Sequence, residues 1–283
     1  MSLLACIDGS IYNASVRDHA LWAAARLGCG VDFLHVIDRP PGLAPPSEPE
    51  GDLALDARTA VLRDLARIDA QRSRLSQEHG RLVLAEARSA AEAAGITPVN
   101  ARLRHGHLVE AVEEFEDAVE LVVLGKRGEH ADFARLHLGS NLERVVRAST
   151  RPLLVAARAF RPVSQIVIAF DGGPSARRAV ELACTGRLLA GLRVHLVCAG
   201  PDAAELRAHL NWARTLLEAH EVDHVVEQVD GHPEQVIAEY VRRHPIDLLA
   251  MGAWGHRGAR EFLVGSTSTT MIRTCLIPVL LVR

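Results

Sequence analysis

The stretch that decides the fold is DLLAMGAWGHRGAREFLVGSTSTTM, residues 247–271. A short apolar segment runs directly into Gly252 and Gly255, and nine residues then separate Gly255 from Gly265. The apolar segment predicts a buried strand, and Gly265 followed by hydroxyl residues predicts the start of a helix. Glycines at the end of a strand let the backbone turn sharply and approach a ligand without a Cβ in the way. Such glycines are also common for purely structural reasons, and the hydroxyls could serve only as a helix N-cap.

A near-copy of this pattern lies upstream and shows that the chain is an internal repeat. Residues 120–156 align with 247–283, and each segment reads as an apolar strand, G-x-x-G, a polar loop, Gly-Ser, a short helix and an X-Pro strand. Residues 3–38 align with 165–200, and each reads as an apolar strand ending in Asp-Gly, an Ala-rich helix and a second apolar strand. Repeated alternation of strands and helices predicts a parallel sheet covered by helices on both faces.

We therefore predict two tandem α/β domains, residues 1–157 and 163–283, each a doubly wound five-stranded parallel sheet. The first domain carries an inserted segment, residues 39–80, which begins with the loop RPPGLAPPSEPEGD. Its five prolines predict an extended and exposed chain. The run that follows has helical apolar spacing from Val61 to Ile68, and Gly80 is expected to break it into two helices.

Composition excludes several classes of protein. The 283 residues carry a net charge of −3 with no basic stripe, which argues against a nucleic-acid partner. The longest apolar runs are far shorter than the roughly 20 residues that a membrane span needs, and the N-terminus lacks the pattern of a signal peptide. The five cysteines are scattered, so we expect small core residues rather than disulfides or a metal site. A cytoplasmic protein without a membrane contact is the expectation.

The residues with distinctive chemistry follow the first and fourth strand of each repeat. Asp8 and Asp171 follow the first strands, and Gly125 and Gly252 end the fourth strands. In a doubly wound sheet, ligands bind outside the carboxyl ends of the strands where the strand order reverses. If the first and fourth strands are neighbours there, each Asp and each glycine pair line one crevice.

The physical chemistry of this crevice favours a nucleotide. Glycine-rich backbone and the free N–H groups at a helix start favour a phosphate, and the hydroxyls of residues 266–268 can add donors. An Asp on the opposite wall can accept hydrogen bonds from ribose hydroxyls or an adenine amino group. No Walker loop and no G-x-G-x-x-G opening the first helix is present in the sequence.

These residues resemble the pattern of a tandem universal stress protein, which has G-x2-G-x9-G-[ST] after the fourth strand of each domain and an Asp after the first. The second repeat matches without departure from Gly252 to Ser266. The first repeat has the family's HVID at residues 35–38, but its loop from Gly128 to Gly139 is one residue longer than the pattern. The resemblance implies a Rossmann-like fold of the adenine-nucleotide alpha hydrolase type, with association through the final strands.

The resemblance also implies two sets of site residues. In the second domain the adenosine would contact Asp171 and Val197, and the phosphates would contact Met251, Gly252, Trp254, Gly255, Gly265, Ser266, Thr267 and Ser268. In the first domain the corresponding residues are Asp8, Val36, Leu124, Gly125, Arg127, Gly128, Gly139 and Ser140. Asn141 and Leu142 replace two hydroxyl residues in the first domain, so the second site ranks above the first. Lys126 and Arg127 could either reach a phosphate or point to solvent.

The sequence thus predicts a stress-response protein that binds ATP or a related adenine nucleotide, with or without Mg²⁺, in a signalling or regulatory role. No catalytic residues and no metal ligands are predicted, and any ATPase activity would be slow. The expected assembly is an internal pseudo-dimer of the two domains, with a homodimer also open. The alternative is a nucleotide-free interaction module that uses the pseudo-dimer and the inserted segment.

Overall fold

The computed structural model describes residues 2–37, 55–126, 140–253 and 266–283, and the side chains of residues 55–60, 140 and 266 are not among the described features. The elements of the first half are β1 (Ser2–Cys6), α1 (Asn13–Leu27), β2 (Gly30–Ile37), α2 (Leu55–Ala93), β3 (Val99–His105), α3 (Leu108–Glu116), β4 (Val119–Gly125), α4 (Ser140–Ala148) and β5 (Leu153–Ala156). The elements of the second half are β6 (Gln165–Ala169), α5 (Pro174–Thr185), β7 (Arg193–Ala199), α6 (Ala204–Ala219), β8 (His224–Val229), α7 (Pro233–Arg243), β9 (Leu248–Gly252), α8 (Ser266–Thr274) and β10 (Val279–Val282).

The ten strands of the described residues form one sheet, with the order β3-β2-β1-β4-β5-β10-β9-β6-β7-β8. Each half contributes the five strands that the sequence predicts, and the strands pair in parallel within each half. The first strand of each half lies beside the fourth, as β1 pairs with β4 and β6 with β9. The halves join where β5 pairs antiparallel with β10, with Leu154 opposite Leu280. This pairing of the two final strands agrees with the prediction from the sequence.

Helices cover both faces of the sheet, because the strands are apolar on both sides. Helices α1, α2, α5 and α6 pack on one face, and α3, α4, α7 and α8 pack on the other. The joining strands lie at the centre, and the side chains of Leu153, Leu154, Leu280 and Leu281 are 0% exposed. Burying one such leucine stabilises the fold by about 1.5–3 kcal/mol, so the junction between the halves belongs to the core.

Helix α2 is one continuous helix of 39 residues, so the break expected at Gly80 is wrong. Gly80 is buried where the helix crosses β2 and β3. A Cβ built on Gly80 would lie 2.7 Å from Leu103 Cδ1 and 2.8 Å from His35 Cδ2. The glycine therefore allows a close approach between helix and sheet, and its cost in helix propensity is outweighed by that packing.

Replacing Gly80 with Val should destabilise the first half, because the added methyl groups force the helix away from His35 and Leu103. We expect a loss of about 1–3 kcal/mol in the free energy of unfolding, the usual cost of overpacking, measured by urea denaturation. Ala85→Val, at an exposed position of the same helix, is the matched control. A Gly80→Val protein as stable as that control would contradict the close packing of α2 on the sheet.

The cysteines and the larger aromatic side chains mostly serve packing. All five cysteines are free; Cys6, Cys198 and Cys275 are buried, whereas Cys29 and Cys184 are only half-buried. The expectation of five core cysteines therefore holds for three of them. Trp212 of α6 stacks on Phe170, with 6.3 Å between ring centroids. Among the described residues, no helix is long and apolar enough to cross a membrane, and no group of three or more His, Cys, Asp or Glu side chains could hold a metal ion.

Candidate functional site

The carboxyl ends of β6, β7 and β9 lie side by side and form the candidate site of the second half, the second edge. Ala169, at the end of β6, is opposite Val197 of β7 and Met251 of β9. Val197 and Met251 are buried, and both belong to the core under α7 and α8. Asp171 follows Ala169 by two residues, so the structure brings the predicted Asp171, Val197, Met251 and Gly252 to one edge.

Asp171 shapes the turn that leads from β6 into α5. The backbone N–H of Gly173 donates to Asp171 Oδ1 at 2.8 Å, and Gly172 has φ of +78°, a conformation that favours glycine. A Cβ on Gly172 would collide with the His209 ring of α6, so that ring lies directly against the turn. The Asp therefore has a structural role at this edge in addition to the ligand role inferred from the sequence.

The first turn of α8 is fastened to its surroundings by the two hydroxyl residues that the sequence offered as phosphate donors. The Ser268 hydroxyl donates to the Gly252 carbonyl at 3.1 Å, which ties α8 to the end of β9. The Thr267 hydroxyl donates to Glu234 Oε1 at 2.8 Å, which ties α8 to α7. Both hydroxyl protons are therefore engaged within the protein. The backbone N–H groups of the first turn are the donors that a helix start leaves for an anion.

Glu234 is a component of this edge that sequence reasoning missed. It lies in the first turn of α7, so its carboxylate is close to the amino ends of both α7 and α8. A negative charge is favoured there by the helix dipoles, but it also repels further negative charge. The signal available in the sequence was an acidic residue in GHPEQ, residues 231–235, at the position where the first repeat has Val109.

Not all of the predicted site residues belong to the part of the chain that the structure describes. Trp254, Gly255 and Gly265 lie outside the described residues, and Ser266 is described only as the first residue of α8. The same holds in the first half for Arg127, Gly128 and Gly139, while Ser140 is the first residue of α4.

The carboxyl ends of β1, β2 and β4 form a similar edge in the first half, the first edge, but the helix that starts there is less polar. The backbone N–H of Ser10 donates to Asp8 Oδ1 at 2.9 Å, which repeats the turn seen at Asp171. Leu124 and Gly125 end β4, and Val36 lies near the end of β2. Where α8 has Ser268, however, α4 has Leu142, which is buried in the core. The first edge therefore lacks the hydroxyl that ties its helix start to the end of β4.

Lys126 neither points to solvent nor lies free to reach a phosphate, the two alternatives that the sequence left open. Its side chain is buried, and its ammonium group donates to the backbone carbonyls of Cys275 and of Ile277, the latter at 3.4 Å. These carbonyls follow α8, so Lys126 reaches from the first half into the second. Burial lowers the pKa of Lys126 from 10.5 to about 8. A reciprocal contact runs the other way, because the Arg283 guanidinium donates to the Val146 carbonyl near the end of α4.

The pKa of Lys126 predicts how stability changes with pH. Between the folded pKa of about 8 and the unfolded value of 10.5, the unfolded chain binds more protons, so raising the pH through this window favours folding. Below pH 8 the amine is charged in both the folded and the unfolded chain, so the free-energy cost of burying its charge no longer changes with pH. The unfolding free energy of the wild type minus that of Lys126→Met should therefore rise by about 1 kcal/mol per pH unit between pH 8 and 10.

Chemical denaturation at several pH values measures this difference. The subtraction cancels the groups that do not interact with the Lys126 amine, among them Cys198, whose pKa burial raises to about 11. A difference that stays flat from pH 7 to 10 would show that Lys126 titrates normally and is not held between the halves.

The fold and the two edges define a class: a tandem doubly wound α/β protein with a candidate ligand site at the carboxyl edge of each half. The chain belongs to the universal stress protein family, whose model matches residues 1–157 and again residues 162–283. The family resemblance drawn from the glycine motifs is thereby confirmed.

Relatives match most or all of the chain. A universal stress protein of Synechocystis sp. is 33% identical over 285 residues, covering 100% of this chain and 99% of the relative. A universal stress protein of Mycobacterium tuberculosis is 28% identical over 73% of this chain and 71% of the relative. The crystal structure of a universal stress protein from Archaeoglobus fulgidus covers 100% of this chain and 98% of its own, with a TM-score of 0.73 and 22% identity. That structural likeness shows the fold.

Proposed function

We propose that this universal stress protein is a cytoplasmic stress-response protein that binds ATP or a related adenine nucleotide at its second edge. The observation that carries the proposal is the convergence of Asp171, Val197, Met251 and Gly252 beside the first turn of α8. Asp171 would accept hydrogen bonds from the adenosine, and Val197 would contact its apolar surface. The phosphates would lie against Gly252, the glycine loop and the backbone N–H groups that open α8.

The second edge is the stronger site in this proposal, because its helix start is held in place by polar bonds. Ser268 fixes the first turn of α8 to Gly252, whereas the first edge has the apolar Leu142 at the equivalent position. A preorganised helix start loses less conformational freedom when an anion binds. The first edge would then bind nucleotide weakly or not at all.

Magnesium would accompany the nucleotide rather than occupy a site of its own. The described residues contain no cluster of three metal-ligating side chains. Mg²⁺ is commonly bound through one or two carboxylates together with substrate phosphates. Glu234 lies at the α8 start, where Thr267 bonds to it directly, and would supply such a carboxylate.

A regulatory role fits the connection between the halves better than a catalytic one. The first turn of α8 belongs to the second edge, and the chain directly after α8 accepts hydrogen bonds from Lys126 of the first half. A ligand that shifts α8 would therefore change contacts in the other half. We propose that nucleotide occupancy is read by a partner through this connection.

The rival function is a nucleotide-free interaction module. The observation that favours it is the exposed apolar surface on α2, where Leu75 is 57% exposed and Leu82 is 71% exposed. The two functions differ in what the glycine loop does, because an interaction module needs no affinity for nucleotides.

Replacing Gly255 with Val should abolish nucleotide affinity, because a branched side chain would occupy the space where backbone and phosphate meet. We expect the association constant for ATP to fall by a factor of at least about 100, the effect of losing roughly 3 kcal/mol of binding energy. Titration calorimetry with ATP and AMP is the measurement. Gly128→Val, the equivalent change in the first half, is the matched control and should leave the affinity unchanged.

Thermal unfolding of both variants shows whether the fold is intact. Undiminished affinity in a folded Gly255→Val protein would contradict the nucleotide role of the loop and favour the interaction module.

Glu234 should set the preference between nucleotides of different charge. Glu234→Gln keeps an acceptor for the Thr267 hydroxyl but removes a negative charge from the helix start. We expect ATP to gain about fivefold in affinity relative to AMP, because ATP carries more charge into the same field. Competition titrations at low salt and without Mg²⁺, which Glu234 would otherwise help to hold, measure the ratio. Glu239→Gln, which alters a carboxylate of α7 paired with Arg242 and Arg243, is the control. An unchanged ratio would place the phosphates away from Glu234.

A further inference from the structure

Helix α6 presses on the segment between β6 and α5, residues 170–173, which is called here the Asp171 turn. The helix itself is anchored, because one side of it is buried in the core under Leu210, Ala213 and Leu217. His209 and Trp212 are three residues apart, so they lie on one side of the helix. Both side chains meet the turn, which places it between the sheet and a fixed helix.

The imidazole of His209 lies against the backbone of Gly172. A Cβ built on Gly172 would lie 2.6 Å from His209 Cγ and 2.7 Å from its Cε1, closer than a side chain could fit. Gly172 also has φ of +78°, in the region that favours glycine. A glycine has more backbone freedom than any other residue, so a turn built on it can take other conformations unless its neighbours oppose them. The His209 ring fills the space beside the Gly172 Cα and so restricts rotation of this backbone.

The rest of the turn is held by Arg177 and Trp212. Arg177 Nε donates to the Gly172 carbonyl at 2.9 Å. The guanidinium carbon of Arg177 lies 4.5 Å from the centre of the Trp212 ring, and this cation–π contact keeps the arginine in place. Trp212 also stacks on Phe170 at the start of the turn, with 12° between the ring planes. Helix α6 therefore holds the turn directly through His209 and Trp212 and indirectly through Arg177.

The conformation of the turn decides where the carboxylate of Asp171 lies. The Gly173 backbone N–H donates to Asp171 Oδ1 at 2.8 Å, so the carboxylate keeps this position only while the backbone of residues 172 and 173 keeps its conformation. A turn that was loose before a ligand arrived would have to be ordered on binding, which weakens affinity. Contact with α6 moves that cost from binding to folding.

We propose that His209 is a positioning residue of the second edge. Its ring holds the Asp171 turn so that the Asp171 carboxylate is ready to accept hydrogen bonds from the ribose or the adenine of a bound nucleotide. His209 acts through Gly172 and does not itself contact the ligand. This inference rests on the proposed function, because it takes Asp171 as the residue that contacts the adenosine.

Hydrogen exchange of the Gly173 amide, measured by NMR on the full chain without ligand, tests the contact. In His209→Ala this amide should exchange about tenfold faster, because the turn opens more often. His209→Phe keeps a flat ring beside Gly172 and should exchange like the wild type. Asn211→Ala, at an exposed position on the opposite side of α6, is the control and should leave the rate unchanged. An unchanged rate in His209→Ala would overturn the proposal.

Titration calorimetry with adenosine, AMP and ATP tests the consequence for binding. His209→Ala should bind all three more weakly by one common factor, about tenfold, because the loss occurs where the adenosine is held. His209→Phe should restore the wild-type affinity, and thermal unfolding shows whether each variant is folded. A loss that grows with the number of phosphates would place the effect of His209 at the phosphate end of the site and would overturn the positioning role.

The outcomes separate this inference from the proposed function. If the wild type and a folded His209→Ala protein bind the three ligands equally well, the inference is wrong and the proposed function stands. If the wild type binds none of the three, the proposed function is wrong, and the ligand role of His209 is wrong with it, whatever the exchange rate of the Gly173 amide.

Discussion

The antiparallel pairing of β5 with β10 is the contact on which the rest of the molecule depends. Without it each half would end in an open, apolar strand edge, which is a site for aggregation in other proteins. With it, Leu153, Leu154, Leu280 and Leu281 are fully buried at the centre of a ten-stranded sheet. The strands of the two halves then run in opposite directions, so the two candidate edges lie at opposite ends of the sheet.

This geometry gives each half a physical connection to the helix that forms the other half's candidate site. Lys126, just past the end of β4, bonds to the chain that follows α8, and Arg283, just past β10, bonds to the last turn of α4. Helices α4 and α8 each begin at the candidate edge of their own half, and each ends against the opposite half. The contacts are reciprocal in place but different in chemistry. Burial lowers the pKa of both groups, but that of Lys126 falls to about 8, whereas the Arg283 guanidinium starts from 12.5 and stays charged near neutral pH. Two similar halves are therefore joined by two contacts of unlike chemistry.

The sequence was sufficient for the features that repeat. Two copies of strand, Asp-Gly, helix and G-x-x-G predicted the ten strands, and the family resemblance implied the association of the final strands. That the first and fourth strands are neighbours was the condition on which the predicted site depended. Features that depend on one residue distant in sequence but close in space could not be predicted. Gly80 looked like a helix breaker because nothing local shows that His35 and Leu103 press against it. The hydroxyl of Thr267 looked available to a ligand because Glu234 lies 33 residues away in the sequence. The domain limits at residues 157 and 163 and the cytoplasmic location stay predictions.

The central claim is that nucleotide binds at the second edge, and hydrogen–deuterium exchange of the full chain with and without ATP tests it most directly. Slower exchange is expected for the backbone amides of residues 171–173, 251–253 and 266–271, which surround the α8 start. The amides of residues 8–10, 124–126 and 140–146 at the first edge should change little. Protection confined to the first edge, or no protection at either edge at saturating ATP, would contradict the claim.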